Sequence, residues 1–278
     1  MLEKDESPKG FNLPMDIQLE SKSTHKSTSS HNVAVILEGS DPSLKSEYVV
    51  YSAHSDHIGF ARTVKKEKIN NGVMDNATGT SVLMETARLF SKLDPRPKRS
   101  IVFLAVRGEE KGLLGSDYYA QNPTVPPSSI VANVNLDMPI LTYEFADVIA
   151  FGADRSDMKN SVTKAAEKIG LELSPVPIPD QALFTRSDHY SFVKKGIPAV
   201  FLVPSFKLVD PEVNGSKQFS HFLKTNYHKP GDDFSQAFNW KAATKFAEVN
   251  YHIGLTLANH AQRSTWNEAD FFGDNFSK

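Results

Sequence analysis

The amino-acid sequence predicts an α/β fold with three layers, in which helices cover both faces of a central sheet. The first observation is a series of short apolar runs, which are typical of strands covered on both faces. These runs are VAVIL at 33–37, YVVYSA at 48–53, IVFLAV at 101–106, IVANVNL at 130–136, DVIAF at 147–151 and PAVFLV at 198–203. The second observation is that helical patterns lie between the runs, and this alternation predicts an α/β sandwich.

Three helices are indicated by apolar residues at helical spacing. The first follows Gly79, the second lies near 162–169, and the third is near the C-terminus. Their apolar positions are Leu83, Ala87 and Phe90; Val162, Ala165, Ala166 and Ile169; and Trp240, Ala243, Phe246, Val249, Ile253 and Leu257. Residues 204–227 have weak periodicity, so we expect a long surface loop there that folds over one end of the sheet.

Composition narrows the chemistry. The chain has 278 residues, of which 40% are apolar, and its 31 basic and 33 acidic residues nearly balance. It therefore has no strong charge that would favour nucleic acid or an anionic membrane, and a peptide or small substrate fits better. The absence of cysteine excludes thiolate nucleophiles and Cys-ligated zinc, so any metal must be held by imidazole and carboxylate groups.

We expect one main domain over residues 32–265. Residues 1–31 are polar and have little apolar periodicity, so they are expected to form an N-terminal tail or remnant, and 266–278 a C-terminal tail. The first thirty residues lack the apolar stretch of a signal peptide, and no apolar run is long enough to cross a bilayer.

Residues that can bind metal occur where the apolar runs end, which is where open α/β sheets place their ligand sites. A histidine follows one strand, a pair of glutamates follows the next, and an aspartate follows a third. Another aspartate lies in the turn NGVMDNATG before a helix, and another histidine lies in NYHKPGDD. These candidate ligands and neighbours are His54, Asp75, Glu109, Glu110, Asp137 and His228.

Six stretches in order resemble the M28 family of zinc peptidases. They are EYVVYSAHSDHIG at 47–59, NGVMDNATGTSVLMETARLF at 71–90, FLAVRGEEKGLLGSDYYA at 103–120, NVNLDM at 133–138, RSDHYSFVKKGIPAV at 186–200 and YHKPGDD at 227–233. The resemblance covers roughly residues 32–260. It implies a mixed, mainly parallel sheet of the zinc-exopeptidase type.

The resemblance also implies a role for each ligand. His54 and Asp137 would hold one zinc ion, Glu110 and His228 would hold the other, and Asp75 would bridge both. It further implies that Glu109 is the general base rather than a ligand. These assignments agree with zinc chemistry, since a bridging carboxylate can hold two ions about 3.5–4 Å apart.

Other positions are expected to support the site or to face the substrate. Asp56 is expected to accept the other imidazole N–H of His54, and Asp232 that of His228, although the neighbouring Asp233 leaves this second choice open. His57 and His189 are expected to be structural or substrate-facing rather than ligands. The resemblance places four residues near the substrate pocket: Arg186, Asp188, His189 and Tyr190.

The expected function is hydrolysis of the N-terminal peptide bond of peptides with a free amino end, with two Zn²⁺ ions as cofactors and Glu109 as the base. A carboxypeptidase or dipeptidase of the same fold is the first alternative, and Arg186 is the basic residue that keeps it open. An acyltransferase of the glutaminyl cyclase type, with one zinc, and a noncatalytic receptor-like domain are the others.

Family resemblance favours a secreted or periplasmic protein. The preferred residue and the oligomeric state do not follow from the sequence.

Overall fold

The computed structural model describes residues 9–61, 68–176 and 182–277. The chain divides into two units, Met1–Ser30 and His31–Lys278. In the first unit, residues 9–30 form no helix or strand. Their apolar side chains are exposed, including those of Phe11, Ile17 and Leu19.

The second unit contains seven strands and seven α-helices among its described residues. The strands are β1 (Val33–Leu37), β2 (Tyr48–His54), β3 (Ser100–Val106), β4 (Ile130–Asn135), β5 (Asp147–Phe151), β6 (Glu172–Ser174) and β7 (Ala199–Pro204). The helices are α1 (Thr78–Ser91), α2 (Leu114–Gln121), α3 (Met158–Lys168), α4 (His189–Val193), α5 (Gly215–Thr225), α6 (Trp240–Asn259) and α7 (Phe271–Phe276).

All seven strands form one mixed sheet in the order β1-β3-β2-β4-β7-β5-β6. Strands β3, β2, β4 and β7 are parallel to one another, as are β5 and β6. Strand β1 runs antiparallel to β3, and β5 runs antiparallel to β7. The sheet is thus mixed and mainly parallel, which confirms the predicted fold class.

Alternate side chains of the central strands pack against different helices, which produces the three layers. Val49 and Tyr51 of β2 belong to the cluster that contains Phe90 of α1 and Phe246 of α6. Val50, between them, belongs to the cluster that contains Tyr119 of α2 and Phe192 of α4. The unbroken apolar run of β2 therefore has a helical layer on each side.

One strand departs from the prediction that both faces are covered. Strand β1 lies at the edge of the sheet, and the side chains of Val33, Val35 and Ile36 are 59%, 58% and 47% exposed. The prediction from the run VAVIL was wrong about burial because an apolar run does not show where a strand lies in the order of the sheet.

The expected long loop at 204–227 was also wrong over its second half, where the structure has α5. The side chain of Asn214 caps this helix by accepting a hydrogen bond from the amide of Lys217 at 2.9 Å. Phe222 is buried against the main core. Further along, α7 begins after Asp270, and Phe272 is buried beside Phe184.

The turn that leads into α1 is packed tightly against the end of β4. An added Cβ at Gly79 would lie 2.2 Å from Asn76 Oδ1 and 2.4 Å from the carbonyl oxygen of Leu136. Only glycine fits at this position, since neither neighbour is the free end of a flexible chain. No helix in the described part of the chain is long and apolar enough to span a membrane.

We predict that Gly79→Ala lowers the free energy of unfolding by about 1–3 kcal/mol, because the added methyl group forces the turn and β4 apart. Urea unfolding monitored by circular dichroism measures the change. Gly231→Ala is the matched control, because its Cβ would have no neighbour nearer than 3.7 Å. Equal stability of the two variants would contradict this account of the turn.

Candidate metal centre

Three parallel strands end at the same edge of the sheet and deliver the first candidate residues. His54 is the last residue of β2, and its backbone pairs with Val106 at the end of β3. Glu109 and Glu110 follow β3 in a short 3₁₀ turn, and Asp137 follows β4 by two residues. The register of the sheet therefore brings these side chains together.

Asp75 lies in the turn before α1. Hydrogen bonds of the Asn76 side chain attach this turn to the ends of the strands. The Asn76 side-chain amide donates to the carbonyl oxygen of Leu136 at 2.9 Å and to that of His54 at 3.3 Å. Its oxygen accepts from the amides of Met138 and Gly79 at 3.0 and 3.1 Å. The buried turn is thus fixed to both β2 and the segment after β4.

The buried half of the centre, called here the inner position, consists of His54, Asp75 and Asp137. His54 Nε2 lies 3.1 Å from Asp137 Oδ1 and 3.3 Å from Asp75 Oδ1. The His54 side chain is only 1% exposed. Burial alone would lower the pKa of His54, but the carboxylates of Asp137 and Asp75 outweigh it and raise that pKa well above its usual range.

The more exposed half, called the outer position, consists of Asp75, Glu110 and His228. His228 Nε2 lies 3.2 Å from Asp75 Oδ2 and 3.2 Å from Glu110 Oε2. The two carboxylates raise the pKa of His228 to about 10. Asp75 therefore presents one oxygen to each position, which is the arrangement of a carboxylate that bridges two cations.

The donor set fits zinc or a similar divalent ion. Imidazole nitrogens and carboxylate oxygens are the zinc ligands that a chain without cysteine can offer. Burial raises the pKa of Glu110, but the nearby imidazoles of His228 and His57 outweigh it and bring that pKa to about 2. Glu110 is therefore ionised and lies close to other carboxylates in a buried place, which is unfavourable without cations.

Glu109 lies beside the two positions and differs electrostatically from its neighbour. Burial, together with the nearby carboxylate of Asp137, raises the pKa of Glu109 to about 8. Within the described residues its carboxylate forms no ion pair. The two adjacent glutamates thus have opposite pKa shifts, because Glu110 lies next to two imidazoles, whereas burial and Asp137 outweigh the weaker effect of His54 on Glu109.

Asp56 supports the site in a different way from the one expected. His54 Nδ1 lies 3.2 Å from the backbone carbonyl oxygen of Asp56 and 3.9 Å from its carboxylate. The carboxylate instead accepts a hydrogen bond from the Glu109 amide at 3.3 Å. Asp56 therefore holds His54 by its main chain and the Glu109 loop by its side chain.

Asp232 is buried, as expected, but its partner is not His228. Its two oxygens accept hydrogen bonds from the amides of Met74 and Asp75 at 2.9 and 3.1 Å. Gln236 donates to the same carboxylate at 2.6 Å. The expected contact with His228 was wrong, because the loop turns Asp232 toward the backbone of the Asp75 turn.

A chain of buried polar side chains behind Asp137 was not found from the sequence. The Ser187 hydroxyl donates to Asp137 Oδ2 at 2.5 Å, and Asn135 donates to Ser187 at 2.7 Å. The Ser52 hydroxyl donates to the side-chain oxygen of Asn135 at 2.7 Å and accepts from the side-chain amide of Asn133 at 3.0 Å. Alternating Asn residues in VANVNL were the only signal, since a polar residue inside a buried run needs a partner.

The residues expected at the substrate pocket fall into two groups. Asp188 and His189 have no exposed surface, so neither is available for contact with a substrate in this structure. Burial raises the pKa of Asp188 to about 7 and lowers that of His189 to about 4. Arg186 is exposed, and Tyr190 is half-buried against Phe272.

His57 lies in the centre, next to Glu110, although we expected it to be structural or substrate-facing. Its Nδ1 is 2.8 Å from Glu110 Oε1. Its ring also contacts that of His228 edge-on, with the centroids 5.7 Å apart. The signal for this residue was its spacing, three residues after the strand-end ligand His54.

The fold is an α/β/α sandwich, and the imidazole and carboxylate groups at its strand ends are of the types that hold zinc in proteins without cysteine ligands. The model of peptidase family M28 matches residues 32–253. The chain belongs to this family of peptidases.

Curated relatives include two aminopeptidases. Aminopeptidase YwaD of Bacillus subtilis is 30% identical over 201 residues, which is 68% of this chain and 40% of that protein. A probable leucine aminopeptidase 2 of Aspergillus oryzae is 26% identical over 88% of this chain and 49% of that protein. The chain thus spans less than half the length of these relatives.

Solved structures show the same fold. The zinc aminopeptidase BSAP from Bacillus subtilis superimposes with a TM-score of 0.59 at 25% identity, over 80% of this chain and 49% of that one. An aminopeptidase from Aneurinibacillus sp. strain AM-1 gives a TM-score of 0.61 at 22% identity, over 86% of this chain and 49% of that one. A Porphyromonas gingivalis glutaminyl cyclase gives 0.57 at 17% identity, over 80% and 76%.

We predict that Asp232→Asn destabilises the protein by about 1–3 kcal/mol, because one of the two backbone amides then faces an NH₂ group instead of an acceptor. Urea unfolding measures this change. Asp233→Asn is the matched control, since Asp233 bonds only within its own turn to Ser235, and we expect a change within about 0.5 kcal/mol. If the two variants behave alike, the Asp232 contacts do not stabilise the turn.

Proposed function

We propose that the chain is a dinuclear zinc aminopeptidase domain that hydrolyses the N-terminal peptide bond of peptides. The observation that carries the proposal is Asp75, whose two oxygens lie 3.3 and 3.2 Å from two different imidazoles. The inner position would hold one ion through His54, Asp75 and Asp137. The outer position would hold the other through Asp75, Glu110 and His228.

Bound zinc supplies a lowered pKa for water and polarisation of a substrate carbonyl group. The chain supplies the proton acceptor, for which Glu109 is the candidate. Burial and the nearby carboxylate of Asp137 raise its pKa above that of an ordinary carboxylate, so its ionised form is the stronger base for the proton of the attacking water. The same group can then give that proton to the departing amine.

Preference for the amino end of a peptide is supported by the relatives. Two curated relatives are aminopeptidases by name. On the substrate side we keep Arg186 and Tyr190 as proposed contacts, because both have exposed surface.

Activity on a matched set of peptides tests the proposal. One sequence is supplied with a free amino end, with an acetylated amino end and with an amidated carboxyl end, and products are read by mass spectrometry. We expect the free and amidated peptides to lose residues from the amino end. We expect the acetylated peptide to be cleaved much more slowly, because it lacks the ammonium group.

The same assay separates the alternatives. Removal of residues from the carboxyl end, blocked by amidation, would establish the carboxypeptidase alternative. Equal cleavage of all three peptides would indicate an endopeptidase. A chelator should abolish activity and added zinc should restore it, so full activity in metal-free protein would contradict the mechanism.

Substitution of the two glutamates separates base from ligand. We predict that Glu109→Gln retains bound metal and lowers kcat by at least about 10²–10⁴-fold, the usual contribution of general acid–base catalysis. Glu110→Gln replaces a charged ligand by a neutral amide, so it should lose metal from the outer position and recover part of its activity with excess zinc. Metal content and kcat are measured for both variants.

Each variant is the control for the other, because the residues are adjacent and chemically identical. If Glu109→Gln loses metal while Glu110→Gln keeps it and is inactive, the two roles are reversed. If both variants keep their metal and normal rates, neither residue belongs to the site.

A further inference from the structure

His57 and Glu110 form a close contact that is not a hydrogen bond. His57 Nδ1 lies 2.8 Å from Glu110 Oε1, and their side chains are 9% and 5% exposed. Within the described part of the chain, neither ring nitrogen of His57 has a hydrogen-bond partner. Glu110 Oε1 has none either. Glu110 is the charged partner of this imidazole, but neither ring nitrogen meets it in hydrogen-bond geometry, so the arrangement of the two groups needs a further explanation.

A metal ion bound by both side chains would explain why His57 and Glu110 are close without pointing at each other. Two ligand atoms at about 2.0–2.1 Å from one zinc ion lie roughly 3 Å apart, and both are directed at the ion. His228 shows the same pattern, since its Nε2 lies 3.2 Å from Glu110 Oε2. Glu110 therefore stands between two imidazoles, one near each of its oxygens.

The fold holds His57 in this place through the turn before Asp75. Gly72 has a left-handed φ of 67°, and an added Cβ there would lie 2.7 Å from His57 Cγ. The imidazole ring thus packs directly on the backbone of the turn that carries Asp75. His57 Nδ1 or Nε2, Asp75 and Glu110 offer ligand atoms within 4.8 Å of one another.

We propose that His57 Nδ1 is a fourth protein ligand of the outer position, together with Asp75, Glu110 and His228. This inference rests on the proposed metal centre and adds a residue to it. The outer position then has two nitrogen and two oxygen donors from the chain, whereas the inner position has three donors. Four protein ligands leave no free place on a zinc ion, whereas three leave a place for water or substrate. The outer position would therefore be closed and the inner position open.

The two imidazoles of the outer position differ in exposure and in the part of the fold that holds them. Its side chain is 37% exposed and it lies in the loop between α5 and α6. His57 is buried and follows a central strand by three residues. It therefore gives the outer position an anchor that does not depend on the His228 loop.

Proton NMR of the cobalt-loaded protein tests the proposal without any substitution. In paramagnetic Co²⁺ proteins, the remaining ring N–H of each ligating histidine gives a strongly shifted, exchangeable signal. We expect three such signals in the unaltered chain, one each from His54, His57 and His228. Two signals would overturn the proposal, and His57 would then act only by orienting Glu110.

Metal titration of His57→Gln provides the second measurement. We expect the loss of one shifted signal and a fall of more than about 100-fold in affinity at the outer position, beyond the 10–100-fold that follows loss of a group which only orients a ligand. His252→Gln is the matched control, because His252 lies on α6, contacts Glu248 and the ring of Tyr251, and belongs to neither candidate metal-binding group of the described residues. It should keep all three signals and the original affinity.

The outcomes also separate this proposal from the one on which it rests. If the unaltered chain binds no stoichiometric cobalt, the metal centre itself is wrong. If it binds two ions and His57→Gln keeps the same shifted signals and affinity, the metal centre stands and His57 is not a ligand. Because the signals are counted first in the unaltered chain, a variant that fails to fold leaves that result in place.

Discussion

The carboxylate of Asp75 is the group on which the rest of the centre depends. It is 4% exposed and has an imidazole near each of its oxygens, while Asp232 holds the amide nitrogens of Met74 and Asp75 from behind. Burial raises the pKa of Asp75, but the imidazoles of His228 and His54 outweigh it and bring that pKa well below its ordinary range. A charge held so firmly in a buried place is stable only opposite positive charge, so the fold must keep both imidazoles within reach.

The parallel strands meet this requirement on one side and the loops on the other. His54 and Asp137 have positions set by the register of β2 and β4, and the chain from Asp137 through Ser187 to Asn135 stiffens this side with buried hydrogen bonds. Asn76 and Asp56 then tie the Asp75 and Glu109 loops to the end of β2. Satisfied networks of this kind hold ligands at fixed distances because each group has few other places to go.

Helices and strands with a clear apolar pattern could be predicted from the sequence. Features that depend on how neighbouring elements pack were predicted less well. Six apolar runs and three helical stripes correspond to strands and helices of the structure. The exposure of β1 was missed because strand order is not written in hydrophobicity, and α5 was missed because its only buried side chain is Phe222. The residues predicted as ligands do converge, since strand ends can be found from the sequence. His57 and Ser187 were missed as members of the site because a lone polar side chain in a loop has no periodicity.

The two halves of the centre also differ in what surrounds them, and this difference gives the site a direction. His54 is enclosed by the sheet with 1% of its side chain exposed, whereas 37% of His228 is exposed. His228 also has a left-handed φ of 54°, and its ring stacks on Tyr227 with centroids 3.9 Å apart. The His228 side of the centre is therefore the side that is open to solvent. Contacts of the His228 side chain stabilise this strained backbone conformation. The centre therefore positions the loop that carries His228, just as the loop positions His228 in the centre.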